Sequence, residues 1–481
     1  MRKRTWLVWG LLIAGAASLS AQEPALPGSF GESIDVRVVN VEAVVTDSHG
    51  NRVRGLTAGD FRLKVDGKEV PIEFFTEIAS GTPAAPVSEA RPNAPAEPVP
   101  AAPTGAVGRS ILVIIDDAFT LAVHRNAVLQ GVKKDLAGLR PQDQMAIVAV
   151  GLDYQPTVLA RWSSDRTVLS AALDSACNRP AGGIDVVATR RSARADEELL
   201  KAAAEANDLY LDNASRTAVA EGPPTGVDAR LYSQLLKLPT VLVATLHGMA
   251  PASGRRVLLL VSGGWPVARV HTPLVVAANR LGYTAYPVGA HGVDTAFAVN
   301  DATQTGPSAD TARVTSAWQR SVDSGMEFLA RMTGGKAFVN SARLDSLARL
   351  AEDTNTYYWL GFTPAWKGDD RHHRIEIETV RKDLSVRSRR GFSDLSRASE
   401  TAVSATGWML LGGGDPRARK VRIETGQAEG RGKTVRLPVT VAIPVGDLTP
   451  IEQAGYWTYQ LILSVGVVDS HGGYSNVAEI P

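Results

Sequence analysis

The fold is decided by Gly108-Arg109-Ser110-Ile111-Leu112-Val113-Ile114-Ile115-Asp116-Asp117-Ala118-Phe119-Thr120. Five consecutive apolar residues, Ile111 to Ile115, read as a strand buried on both faces. The run ends in two carboxylates and, three residues on, a hydroxyl. Open α/β sheets bind ligands beyond the carboxyl ends of their parallel strands, so Asp116, Asp117 and Thr120 stand where a site is expected.

The residues that follow alternate between helical periodicity and short apolar runs. Val128, Val132, Leu136 and Leu139 mark a helix. Met145 to Val150, Val257 to Val261 and Tyr286 to Ala290 read as further buried strands. Val322, Met326, Leu329 and Met332 share a helix face, and Gly334-Gly335 supplies a left-handed stop. Lys336 to Val339 reads as a short strand, and Leu344, Leu347 and Leu350 open another helix. Alternating strand and helix, with strands apolar throughout, implies a mostly parallel sheet covered on both faces. This domain spans 108–355. An Ala-, Arg-, Asp- and Glu-rich insertion interrupts it at 178–228, and a polar loop runs from about 292 to 312.

Either side reads as β. Over 33–78, Ile34, Val36 and Val38 alternate, then Phe61, Leu63 and Val65, then Val70, Ile72 and Phe74. Turn signals at Asp47-Ser48-His49-Gly50-Asn51 and Asp66-Gly67 separate them. This is a small sandwich-type sheet. Residues 79–107, with seven prolines among alanines, read as a linker or disordered insertion. Residues 356–392 form a β extension. After a linker-like stretch, 419–481 reads as a C-terminal β domain, with Val435, Leu437, Val439, Val441 and Ile443 in strict alternation. Asp469-Ser470-His471-Gly472 echoes the first turn, which shared turn chemistry explains.

Residues 1–21 have the form of a signal peptide. Arg2, Lys3 and Arg4 precede an apolar core, and Ser18-Leu19-Ser20-Ala21 offers small residues for cleavage. The apolar run is shorter than the roughly 20 residues of a membrane span, and none is expected in the mature chain. The expected location is therefore the periplasm or the medium. The 481 residues carry 51 basic and 50 acidic side chains, so no field of one sign recruits nucleic acid. The single cysteine, Cys177, excludes an intrachain disulfide.

Three stretches resemble the von Willebrand factor A-related proteins abundant in acidobacteria. The first runs from Val44-Val45-Thr46-Asp47 through Gly50-Asn51-Arg52-Val53, Gly55-Leu56-Thr57 and Asp60-Phe61 to Asp66-Gly67. The second is the Asp116 strand with its helix and Pro141-Gln142-Asp143-Gln144-Met145-Ala146. The third runs from Gly334-Gly335-Lys336-Ala337-Phe338 through Tyr358-Trp359-Leu360-Gly361-Phe362 to Val386-Arg387-Ser388-Arg389-Arg390-Gly391-Phe392. The resemblance implies an α/β fold: an A-type, Rossmann-like domain flanked by β-sandwich-like N- and C-terminal segments.

Many A-type domains hold a divalent cation through an Asp-x-Ser-x-Ser loop, a Thr from a second loop and an Asp from a third. Oxygen ligands of this kind suit magnesium or manganese. Here Asp116 matches the first position and Thr120 can replace the second Ser, but Ala118 replaces the first. Gly182-Gly183-Ile184 puts Ile184 where the Thr belongs, and Val261-Ser262-Gly263-Gly264 puts Gly263 where the acid belongs. Asp117 or Asp185 would have to compensate. The expectation is a degenerate site with no cofactor, its face made by Asp116, Asp117, Thr120, Ser262 and Gly263. Asp116 is then a loop-fixing acceptor of hydrogen bonds.

No catalytic group is indicated. Ser262 lacks the Gly-x-Ser-x-Gly setting, since Leu260 holds the first glycine's place. The eight histidines show no metal-ligand spacing, and His372-His373 reads as a solvated strand entry. The sequence thus points to an exported, non-enzymatic protein-binding or scaffold protein of the bacterial envelope with an unidentified protein partner. A divalent-cation-dependent adhesin is the alternative, and a hydrolase with an unrecognised site is third.

Overall fold

Every residue of the strand Arg109–Asp116 is buried, as its unbroken apolar run requires. The computed structural model describes residues 38–83, 107–183, 229–249, 254–265, 271–290, 322–396 and 399, together with short strand pairs from 422 onward. The expected signal segment 1–21, most of the 79–107 linker, most of the 178–228 insertion, the 292–312 loop and Gly412-Gly413-Gly414 lie outside the described residues.

In chain order the elements begin with β1 (Val39–Thr46), β2 (Phe61–Val65), β3 (Lys68–Val70), β4 (Phe74–Ala79) and β5 (Thr82–Pro83). Then come β6 (Arg109–Asp116), α1 (Ala122–Asp135), β7 (Gln144–Val150), β8 (Pro156–Ser163) and α2 (Arg166–Cys177). Next are α3 (Ala229–Gly248), β9 (Arg255–Ser262), α4 (Thr272–Leu281), β10 (Tyr283–Gly289), α5 (322–333) and α6 (Ser346–Asp353). The chain returns to β with β11 (Thr356–Phe362), β12 (Arg371–Thr379), β13 (Ser385–Arg387) and β14 (Gly391–Asp394).

The central sheet has the order β10-β9-β6-β7-β8. β6 runs parallel to β7 and β9, and β9 to β10, while β8 is an antiparallel edge strand. Alternate β6 residues feed opposite helical layers. Ile111, Val113 and Ile115 pack with Val128 and Val132 of α1, Leu169 and Leu173 of α2, and Leu347 and Leu350 of α6. Leu112 and Ile114 pack with Leu238 and Leu242 of α3, Leu274 and Ala278 of α4, and Phe328 and Leu329 of α5. After β6 the chain builds outward on one side with β7 and β8, then crosses to β9 on the other. That reversal makes the carboxyl ends of β6 and β9 the switch point, the crevice position of such a sheet; here it is filled, with Asp116, Asp117, Thr120 and Ser262 all buried.

Sequence patterning anticipates this sheet with two exceptions. The edge strand β8 carries only one fully buried residue, Ala160, and has no clean apolar run. The strand expected at Lys336 to Val339 contributes a single parallel bridge, Val288 to Phe338. The helix expected to end at Gly334 does so, with that glycine at φ +82.

The separation of a small β domain at 33–78 from a β extension at 356–392 is corrected by the pairing. β11 lies between β1 and β4, and β12 pairs with β2. Two sheets, β13-β1-β11-β4-β5 and β14-β12-β2-β3, share one core of Val41, Val45, Phe61, Leu63, Leu360, Phe362, Ile375 and Phe392. Neither segment holds enough apolar surface alone, because each supplies only part of both sheets. The α/β domain is thus an insertion between β5 and β11, leaving and returning beside β4, where Ala79 faces both Thr82 and Thr356. Past residue 422 the described strands form four antiparallel two-stranded pairs, and Val439 and Tyr456 on them are exposed.

The two bodies are locked at Asp353, the last residue of α6. Its carboxylate meets Arg52 of the β1–β2 loop at 2.6 Å, Arg387 of β13 at 2.7 Å and Lys336 at 3.2 Å. It also accepts from the Tyr286 hydroxyl of β10 at 2.7 Å. Burial alone would raise this carboxyl, but Arg387, Lys336 and the Tyr286 hydrogen bond hold it well below the ordinary 3.8. A depressed carboxyl contributes stability that is present above 3.8 and lost as the pH falls below it. Asp353→Ala leaves these cations without their anion. It is expected to cost about 2–3 kcal/mol, less than the ~3–5 of a fully buried broken pair because both arginines are partly solvated. In urea melts the wild-type advantage over this variant should be constant above about pH 5 and shrink progressively as the pH falls below 3.8.

Candidate functional site

The crevice holds the acidic end of β6, and tertiary contacts decide what each carboxylate does. Asp116 is completely buried. Its Oδ1 accepts from the backbone N–H of Ala118 at 3.0 Å and of Phe119 at 3.1 Å. Its Oδ2 accepts from the Ser262 hydroxyl at 2.6 Å and the Trp265 indole N–H at 3.3 Å. Four donors thus converge on one carboxylate. Burial pushes its pKa up to about 6, against the pull of Ser262, the Phe119 amide and Trp265.

Asp117, equally buried, is spent on guanidinium groups. Oδ1 meets Nη1 of Arg125 at 2.6 Å, and Oδ2 meets Nε of Arg179 at 2.8 Å. Arg125 is itself fully buried in α1 and also donates to the carbonyls of Cys177 and Arg179. Asp117 therefore meets two guanidiniums, while Asp116 meets only neutral donors.

Thr120 accepts from the Gly263 N–H at 2.8 Å, which ties the loop after β6 to the loop after β9. Ser262 also accepts from the Gly264 N–H at 2.9 Å. Gly182 and Gly183 donate to the carbonyls of Asp117 and Thr120, and a Cβ on either would collide with the 118–121 backbone. Their role is close approach. Gly263 is fixed for the same reason, since a Cβ there would sit well inside contact distance of the Phe119 carbonyl oxygen. The place where the resemblance leads one to expect an acid admits no side chain.

The structure thus brings together Asp116, Asp117, Thr120, Ser262 and Gly263. Asp185 and Ile184 lie outside the described residues. Three partners escaped the sequence reading: Arg125, Arg179 and Trp265. Arg125 had a legible signal, because it precedes Val128 and Val132 by three and seven residues and so lies on the buried stripe of α1. An arginine there demands an anion. Arg179 and Trp265 sit in connecting segments without periodicity.

The arrangement does not form a hydrolytic triad. The Ser262 hydroxyl is bonded to the carboxylate itself, and the nearby His271 stacks on the Trp265 ring at 4.4 Å. Burial pushes that imidazole down to about 3. Ser262, Asp116 and His271 are all at most 2% exposed, so the hydroxyl is closed off from solvent.

Comparison with protein-family models and with curated proteins finds no match. Solved structures with detectable likeness include an aerotolerance-related membrane protein from Bacteroides fragilis, 10% identical, covering 51% of this chain and 98% of that one at a TM-score of 0.26. The vWF domain of the type V pili tip protein Mfa5 from Porphyromonas gingivalis is 13% identical, covering 33% of this chain and 38% of that one at 0.17. The pilus adhesin SpaC from Lactobacillus rhamnosus GG is 8% identical, covering 60% of this chain and 44% of that one at 0.28. This chain spans less than half the length of the two pilus proteins. At such scores the architecture rests on strand order and register alone.

Two outcomes follow from the crevice. Gly263→Asp should destabilise the fold by more than about 2 kcal/mol in denaturant melts through the backbone clash, and should create no magnesium binding. The Asp116 carboxyl should titrate near pH 6 by carbon NMR. Because its folded value lies above 3.8, stability falls as the pH rises from 3.8 to about 6 and is level beyond. Titration at the ordinary carboxylate value would contradict this.

Proposed function

We propose that this chain is an exported, non-enzymatic protein-binding or scaffold protein of the bacterial envelope. Its inserted α/β domain is of the von Willebrand factor A type, carried on the two-sheet body. The loops over the ends of β6 and β9 are the partner-facing region, the buried carboxylates beneath them hold those loops in shape, and the region works without a divalent cation.

One observation carries the reading. Both carboxylates that could ligate a metal are already neutralised or fully hydrogen-bonded within the chain, Asp117 by Arg125 and Arg179, Asp116 by Ser262, Trp265 and two amides. A cation entering here would have to displace two guanidiniums and break buried hydrogen bonds, a cost several kcal/mol above that of an open site. The chain's own arginines supply the charge that a metal would otherwise supply. The signal-like segment supports export, and the buried, non-triad setting of Ser262 supports binding over hydrolysis.

Calorimetry with magnesium and with manganese should show no saturable heat, and capture of envelope proteins should be the same in magnesium-loaded and magnesium-free buffer. A micromolar one-site isotherm lost in Asp116→Ala, with capture only in the loaded buffer, would establish the cation-dependent adhesin instead.

A further inference from the structure

Away from the crevice, at the end of the two-sheet body, three metal-ligating side chains converge. Asp369 lies in the loop before β12, His373 on β12 and Asp394 at the end of β14, and one ligand atom from each lies within 4.8 Å of the others. An ion with ligands at about 2.0–2.2 Å spans such a cluster with small side-chain shifts.

The histidine is held as a ligand is held. Its Nδ1 lies 2.7 Å from Oδ2 of Asp66, in the turn after β2. A carboxylate oxygen only accepts, so Nδ1 carries the proton and Nε2 keeps its lone pair for a metal. A carboxylate behind an imidazole is the usual outer support of a metal-bound histidine. The ring plane is fixed as well, stacked on Phe392 at 5.0 Å and 22°. Asp394 is 1% exposed, and each of its oxygens accepts one backbone amide, from Gly368 at 3.1 Å and Lys367 at 2.6 Å. Each oxygen retains a lone pair. Asp369 is exposed, and its Oδ1 accepts from the Arg371 amide at 3.1 Å.

We propose that Asp369, His373 and Asp394 bind one zinc ion, with Asp66 as the residue that positions the histidine. One imidazole nitrogen and two carboxylate oxygens suit zinc. Calcium and magnesium favour all-oxygen shells. Three protein ligands leave a fourth position for water. The ion would clasp the 366–370 loop to β14, neutralising a buried carboxylate whose partners among the described residues are backbone amides. The adjacent His372, whose Nδ1 lies 3.2 Å from the Ser393 hydroxyl, takes no part.

The test is calorimetry of the untagged full chain with zinc chloride, with circular dichroism to check folding. The wild type should bind one zinc at micromolar affinity or tighter. Asp369→Asn, an exposed change that leaves the core untouched, should weaken binding at least tenfold. His373→Gln should abolish it, and Asp66→Asn should weaken it 10–100-fold. Asp174→Asn, at an exposed carboxylate of α2, should bind zinc as the wild type does, which separates this site from the acidic side chains of the α/β domain. Absence of saturable zinc binding in the wild type, or affinities of Asp369→Asn and His373→Gln within twofold of it, would overturn the proposal.

Discussion

A strand that water never reaches ends in two carboxylates, and that charge must be balanced inside the protein. The Arg125–Asp117 ion pair at 2.6 Å, with neither side chain exposed, meets this demand. Removing either member would strand a charge in a low-dielectric interior, a larger penalty than the pair's own net worth. The geometry around it follows from that need. Arg125 reaches across from α1, Arg179 comes from beyond α2, and the Gly182-Gly183 backbone closes in above. The loops that would open to admit a cation are stitched shut by Thr120 on Gly263 and Ser262 on Asp116.

The same logic recurs where the inserted domain meets its carrier. Asp353 gathers Arg52, Lys336 and Arg387 around one buried carboxylate. Close by, Arg255 pairs with Glu42 at 2.8 Å and lies over the Tyr357 ring. At the start of β6, Arg109 and Arg140 share Asp143. Many-to-one pairing of this kind orients two bodies through directional contacts, where apolar packing alone would allow sliding. It suits an insertion whose two connections to the carrier lie beside a single strand, β4.

Much of the α/β domain was legible because its strands are apolar on both sides and its helices carry one apolar stripe. Those patterns are local and survive without knowledge of the partner surface. The crevice was half legible. Asp116 and Thr120 declared themselves by following a buried strand, and Gly263 declared an absence without its cause. The cause is the Phe119 carbonyl, brought from 144 positions away, which no local pattern encodes. His373 shows the same limit. Its neighbours in sequence are charged, so it reads as solvated, while Asp66 and Phe392 reach it from other strands.

By itself the amino-acid sequence determined that a mostly parallel, doubly covered sheet exists, which strand lies at its centre, and that two carboxylates and a hydroxyl stand at that strand's end. Those conclusions depend on hydrophobic periodicity and on residue identity at a strand end, both properties of short segments. Only the tertiary structure decided that the flanking β segments are one body and that Asp117 is neutralised by arginines rather than left for a metal. Strand pairing and charge compensation are made between residues far apart in the chain. Their free energy comes from desolvating both partners together, so neither side alone carries the information.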